Sequence, residues 1–391
     1  MHTTETRRKH RRTDTIHGVP GGRRDFETPG RFFVLLMCII APACNAEADE
    51  PRVSARSPAD SAGAGRGNEP ELVDQDAFSG AFEVVRKLVL EENDEAITVL
   101  PMVSSGGPGR LLLAEPREGQ INVYDTDGRL QRVLGRRGEG PGEFTVPIAA
   151  RLTRNGGVVV ADMMLSRLTF FPPGDEGEPE VVVSPLPLVL GAEDMGEGRY
   201  LLSGQLMSGT TPRLLHVWNR ATDEIEHSFL PMRVPEESRA YAASYTTVAA
   251  ILEDDTIWAV WALSDTLYKF GRRGERLTGI PLSLPRPMGV LPGAATGAVT
   301  DPRAIQAAAD SLTQVNGVFV AGSEYLAIQS MQSRGLEAVW DLTIVDRRGT
   351  PVWKAAGMPR LFLVEGDLFY FDDPASLLPN HWIVARRKGE R

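Results

Sequence analysis

Gly135-Arg136-Arg137-Gly138-Glu139-Gly140-Pro141-Gly142-Glu143-Phe144 is the stretch that decides the fold. Gly138, Gly140 and Gly142 permit positive φ, and Pro141 fixes one φ near about −65°. No Lys-Ser or Lys-Thr follows and no helix begins here, which argues against a phosphate-cradling loop. The alternative is a tight crossing from the outer strand of one sheet to the inner strand of the next. Phe144 is then placed to plug between the two sheets. Just upstream, Val123-Tyr124-Asp125-Thr126-Asp127-Gly128 reads as a strand running into a glycine turn.

The same grammar recurs outward from this point. Leu111-Leu112-Leu113-Ala114-Glu115 precedes Ile121-Asn122-Val123-Tyr124-Asp125, and Val158-Val159-Val160-Ala161-Asp162 precedes Leu168-Thr169-Phe170-Phe171. Thr256–Val260 precedes Leu267–Phe270, and Tyr325–Ile328 precedes Leu342–Asp346. Each second burst leads into a turn with glycine: Gly128, Gly174, Gly274 and Gly349. Strand, loop, strand, glycine turn, strand is a meander. Ala114, Ala161, Ala259 and Ala327 stand 47, 98 and 68 residues apart, and the long gap holds one more degenerate unit. A period of about 40–50 residues with four strands each predicts propeller blades.

Six units are expected, starting near Ile97, Ile148, Leu188, Thr246, Val318 and Leu361. The last has room for three strands. Phe82–Leu90 is a spare strand that can complete it and close the ring. The expected fold is therefore an all-β six-bladed propeller of four-stranded antiparallel blades. One segment departs from it: Asp301–Gln314 has helical apolar spacing and predicts a short helical insertion.

Composition agrees. The 39 glycines and 28 prolines make up about 17% of the 391 residues, against about 12% in average usage. Two cysteines exclude a disulfide scaffold and any multi-cysteine metal site. A formal net charge of −10 argues against a nucleic-acid partner.

The N-terminal segment has a different character. Eight basic residues precede the uncharged run Phe32–Ile40, and Ala41-Pro42-Ala43-Cys44 follows. The run is short of the ~20 residues a spanning helix needs, so residues 1–43 read as a signal peptide. Its removal takes away eight basic and four acidic residues and moves the formal net charge from −10 to −14. Residues 44–74 form an acidic, Pro-, Ala- and Gly-rich tether, and 75–391 form the propeller. The residues before Cys44 resemble the lipobox of bacterial lipoproteins, although Ala41 stands where a large aliphatic residue is usual. That resemblance implies lipidation at Cys44; without it the chain is secreted. The membrane partner is reached through the anchor alone.

The glycine-rich crossing after Val123–Gly128 resembles the signature of NHL-repeat proteins and related bacterial six-bladed propeller lipoproteins. The resemblance implies the propeller and little about activity, because such propellers serve as lyases, lactonases, sensors and adhesion modules. In a four-stranded meander the loops between strands two and three share a face with the blade crossings. Glu115–Gln120, Gly135–Glu143, Asp162–Arg167, Gln205–Thr211, Ser264–Asp265 and Gln329–Gly335 belong to it. Its ligand candidates are Glu115, Arg137, Asp162, Arg167, Asp265 and Arg334, each also readable as a turn-stabilising or solvated residue.

The reading favours a binding or scaffolding module at the cell envelope, for a protein, peptide or carbohydrate, with no cofactor or metal and no catalytic residue assigned. The alternative is a metal-dependent hydrolase or lyase. Lactonase-like propellers hold a divalent ion with Glu, Asn and Asp, and Glu115 and Asp162 are equivalent carboxylates. Val260 and Ile328 occupy that position in two other blades. A lyase-like zinc site would need His216, His227 and His381, which fall in two blades. No G-x-S-x-G elbow is present. Trp218, Trp258, Trp261, Trp340, Trp353 and Trp382 are expected between blades, with a sugar platform as the other option.

Overall fold

The computed structural model describes residues 73–389 apart from 175–176, 209–210, 235, 239–241, 243–244, 290–306, 308–309 and 335–336. The leader, both cysteines and the tether up to residue 72 lie outside the described residues. So does most of the helix expected over 301–314.

Helix α1 (Gln75–Ala81), which the sequence pattern did not announce, opens the described chain. Asp74 caps it by accepting the Ala77 N–H at 2.9 Å. It leads directly into β1 (Phe82–Val89). Blade one is β2 (Met102–Ser105), β3 (Arg110–Glu115), β4 (Gln120–Asp125) and β5 (Leu130–Leu134). The glycine-rich crossing carries a small parallel ribbon, β6 (Arg136–Arg137) with β7 (Glu143–Phe144). Blade two is β8 (Pro147–Leu152), β9 (Val158–Asp162), β10 (Arg167–Phe171) and β11 (Glu180–Val183). Blade three is β12 (Val189–Gly196), β13 (Arg199–Ser208), β14 (Thr211–Asn219) and β15 (Glu224–Pro231). Blade four is β16 (Val248–Glu253), β17 (Thr256–Trp261), β18 (Thr266–Gly271) and β19 (Arg276–Pro281). Blade five is β20 (Thr313–Ala321), β21 (Tyr325–Arg334), β22 (Glu337–Asp346) and β23 (Pro351–Met358). Blade six is β24 (Leu361–Glu365), β25 (Leu368–Asp372) and β26 (His381–Arg387), completed by β1 on its outer edge.

The architecture is thus a six-bladed β-propeller of four-stranded antiparallel sheets. Its closure is the one the spare N-terminal strand predicts. β1 runs antiparallel to β26 from Phe82 opposite Arg387 to Val89 opposite His381. That pairing leaves no open edge between the first and last parts of the chain. At the other end of the expected helical insertion, Thr313 and Gln314 are strand residues: they begin β20, pairing with Gln332 and Met331. Within the insertion the described residues Ala307, Asp310 and Ser311 are helical, as the spacing predicts, and the helix ends before Thr313, where cross-strand pairing begins.

The core lies between blades. Six buried clusters occur, one at each blade interface. The second strand of a blade is covered on both faces, which is why it reads as an unbroken apolar run. In β3, Leu111 and Leu113 pack toward blade six while Leu112 and Ala114 pack toward blade two. In β17, Ile257, Ala259 and Trp261 face blade three, and Trp258 and Val260 face blade five. Fully burying each such side chain contributes about 1.5–3 kcal/mol. The tryptophans follow suit. Trp218, Trp258, Trp261 and Trp382 sit in four different interfaces, and Trp353 packs against a fifth. Phe144 is fully buried in the cluster between blades one and two, with its ring centroid 6.0 Å from that of Phe171.

Candidate functional site

The loops between second and third strands and the blade crossings do share a face, so the glycine-rich crossing is the place to begin. Gly135 has φ +74°, and a Cβ there would lie 2.4 Å from the Phe144 ring and 2.7 Å from the Gly142 carbonyl. Gly138 and Gly142 also take positive φ; Gly140 does not, and its N–H is instead donated to Glu143 Oε2 at 2.8 Å. Arg167 reaches in from β10. Its Nη1 donates to the Glu139 carbonyl at 2.7 Å, and its Nη2 donates to those of Gly140 and Glu143 at 2.9 and 2.6 Å. Asp162, with no exposed surface, accepts N–H groups from Thr145, Val146, Met164 and Leu165 at 2.7–3.3 Å. Both side chains hold the crossing against blade two.

Glu115 does the corresponding work in blade one. It is fully buried and accepts the N–H groups of Val99 and Leu100 at 3.2 and 3.1 Å, in the segment that enters the blade. Burial pushes its carboxyl up to about 7, against the pull of those two hydrogen bonds. The matching position in blade six is Asp372, at the end of β25. There burial raises the carboxyl to about 6, and Arg360 pulls the other way. Asp372 was missed because the repeats were aligned on alanine, and Phe371 stands where Ala114 and Ala161 stand.

Arg137 is exposed on β6, and Asp265 is exposed with its carboxylate beside the Thr266 hydroxyl at 3.3 Å. Arg334 is exposed at the end of β21, and its charge acts on the buried Asp341, which pairs with Arg286 at 2.8 Å. The six candidates share the face but form no single cluster. Three of them are committed to backbone.

The central channel holds a cavity of about 220 Å³ to which blades one, two, four, five and six contribute. Met102, Ile148, Val248, Phe319, Leu361 and Phe362 give it apolar walls. Four polar side chains line it: Arg151, Asn316, Gln329 and Arg360, of which Gln329 is engaged with the Leu361 backbone at 3.0 and 2.5 Å. Arg151 is engaged, with Nε 3.2 Å from Glu193 Oε2. Asn316 Oδ1 is buried without a hydrogen-bond partner. Arg360 occupies the two-residue crossing between blades five and six. Its guanidinium lies 5.3 Å from the Trp340 ring centroid and 4.9 Å from that of Phe362. Its one hydrogen bond is to the Pro101 carbonyl at 3.5 Å. Burial lowers its pKa, opposed by the charges of Asp372 and Glu115. The sequence reading singles out one blade crossing, Gly135–Glu143, and not this two-residue one. The residue immediately before the inner strand of the last blade was the signal that reading passed over.

Among the described residues, no group of three or more His, Cys, Asp and Glu side chains converges as metal ligands. His216 is buried between the Ser228 hydroxyl at 2.8 Å and the Gly204 carbonyl at 3.2 Å, and burial lowers its pKa. His227 is exposed on the neighbouring strand, and His381 pairs with Ser376 in blade six at 3.0 Å. The three do not meet.

No protein-family model matches the chain, and no curated protein matches it in sequence. Solved structures do match. A candidate exported protein of Bacteroides fragilis, BF0058, superimposes with a TM-score of 0.57 at 11% identity, covering 79% of this chain and 96% of its own. A DUF4221-family protein of Bacteroides vulgatus gives 0.58 at 9% identity, covering 78% and 97%. Likeness at this identity shows the fold alone.

Proposed function

We propose that this chain is an exported, NHL-like propeller that works as a binding module at the bacterial cell envelope, anchored through an acylated Cys44, with its ligand site in the central channel. The observation that carries the binding part is the channel cavity itself. Inner strands of five blades wall it, and an arginine beside two aromatic rings, with a single long hydrogen bond among the described residues, stands at its edge. Concave, mostly preformed sites with a few convergent polar groups are where small ligands bind. Export is supported by the basic, apolar and small-residue order of residues 1–43. The description of the Bacteroides fragilis neighbour as a candidate exported protein fits with it. The flexible composition of residues 45–70 suits a spacer between a lipidated terminus and a folded domain.

Two measurements on the full chain, expressed in a bacterial host, test this. Mass analysis of the mature terminus is expected to show cleavage before an acylated Cys44, and an unacylated product from Cys44→Ala; an unacylated wild-type terminus refutes the anchor. A thermal-shift panel of small organic acids, peptides and sugars is expected to raise the melting temperature with at least one class. Ala250→Phe, which fills the channel, is expected to abolish that shift. A shift that survives the filled channel refutes the site. Turnover of lactone substrates on adding calcium or zinc would replace the binding reading with the hydrolase one.

A further inference from the structure

A guanidinium carries five N–H donors in a planar fork and keeps its charge at any physiological pH. Taking one out of water is costly unless anions or carbonyls replace the lost hydration. Arg167 spends both its Nη groups on three short hydrogen bonds to carbonyls, and its Nε is buried without a partner. Arg360 leaves most of its donors unspent, and none of its nitrogens is among the buried atoms without a partner. Among the described residues no carboxylate lies within 4.0 Å of it. Its Cζ lies 5.3 and 4.9 Å from the ring centroids of Trp340 and Phe362, its side chain is half-buried, and among the described residues its fork has one hydrogen bond, 3.5 Å long. The remaining N–H groups of the fork are the part free to bind, and they can hold a planar two-oxygen anion in bidentate fashion.

We propose that Arg360 is the anchor of a monocarboxylate site in the channel. A small organic acid would place its carboxylate on the fork of Arg360 and its apolar body along Met102, Ile148 and Phe362. This rests on the reading of the channel as the ligand site.

Three features select this class of ligand. The cavity, at about 220 Å³, is sized for a short acid rather than a sugar chain or folded peptide. The second arginine on its wall, Arg151, is already neutralised by Glu193, so one positive charge is available rather than the several a phosphate dianion needs. Asp372 and Glu115 stand close enough to act on Arg360 electrostatically, and their field penalises a second negative charge on the ligand.

Calorimetric titration of the purified mature protein with butyrate, its isosteric amide butyramide, and inorganic phosphate tests the proposal. Butyrate is expected to bind at least tenfold more tightly than either. Arg360→Gln is expected to weaken butyrate at least tenfold while leaving butyramide unchanged. Asn316→Asp places a carboxylate in the same cavity. It is expected to weaken butyrate similarly and to leave the fold intact, which guards against misfolding of the Arg360 variant. Equal affinity for acid and amide, both lost in Ala250→Phe, would overturn the carboxylate site and leave channel binding standing. Tighter binding of phosphate, or butyrate binding indifferent to both Arg360→Gln and Asn316→Asp, would also overturn it. Butyrate binding that survives Ala250→Phe would overturn the channel reading itself.

Discussion

Arg167 and Arg360 are the same side chain on the same face of the ring, each tied to a crossing between neighbouring blades. Around the first, the crossing after blade one is tied together by several side chains, although Arg167 Nε is buried without a partner. Arg167 donates to three carbonyls, Asp162 accepts four N–H groups, and Glu143 takes both Arg136 and the Gly140 N–H. Around the second, the crossing before blade six is two residues long and offers one carbonyl at 3.5 Å. The lesson is that a repeat motif at its most recognisable marks where the fold is held. A ligand site is better sought where the motif has eroded and a charged group has been left without its structural partners.

The comparison presumes a ring closed by β1, and the largest effect should come from removing that closure. A chain beginning at Glu91 would expose β26 along its whole edge and uncover Phe369 and Phe371, which pack on Phe82 at 5.2 and 5.1 Å. Urea denaturation of this variant should show no cooperative transition. A wild-type transition would mean the ring closes elsewhere.

Next in size is the tightest part of the first crossing. Asp162→Ala leaves up to four backbone N–H groups without their acceptor and should cost on the order of 3 kcal/mol. Gly135→Ala forces a side chain into positive φ and into the Phe144 ring and should cost about 2 kcal/mol. Denaturant midpoints measure both. Losses under about 0.5 kcal/mol would mean the crossing is looser than its hydrogen bonds imply.

Glu115 sharpens the comparison through pH. The folded protein holds its proton up to about pH 7, whereas an unfolded chain releases it near 4.5. Raising the pH across that window therefore favours unfolding. Glu115→Gln keeps an acceptor for Val99 and Leu100 and removes the charge. Its stability relative to wild type should rise between about pH 5 and 8, by on the order of 2–3 kcal/mol. A flat difference across that range would show that burial does not control this carboxylate.

How much of this was legible beforehand follows the same division. Blade starts near Ile148, Leu188 and Leu361 lie one residue or less from β8, β12 and β24, whereas those near Ile97 and Val318 lie five residues from the starts of β2 and β20, because the inner strands are only partly buried and mark their ends weakly. Closure by Phe82–Leu90 was legible because a blade one strand short needs one. The structural partners of Glu115, Asp162 and Arg167 were not, since residues far apart in sequence meet only once crossings are placed. α1 was invisible for another reason: Gln75–Ala81 is seven residues long with one buried side chain, Phe78, too few to show a helical period. Arg360 escaped because nothing in Met358-Pro359-Arg360-Leu361 records that Trp340 and Phe362 will close over it.

The most direct test makes one substitution at both arginines. Arg167→Gln should lower the thermal midpoint by a few degrees, in line with about 1.5–3 kcal/mol lost from three charge-assisted hydrogen bonds to exposed or half-buried carbonyls. Arg360→Gln, measured without ligand, should leave the midpoint within about a degree of wild type, since only one 3.5 Å hydrogen bond is lost. An Arg360 variant as destabilised as the Arg167 variant would show that Arg360 holds the ring rather than waits for an anion.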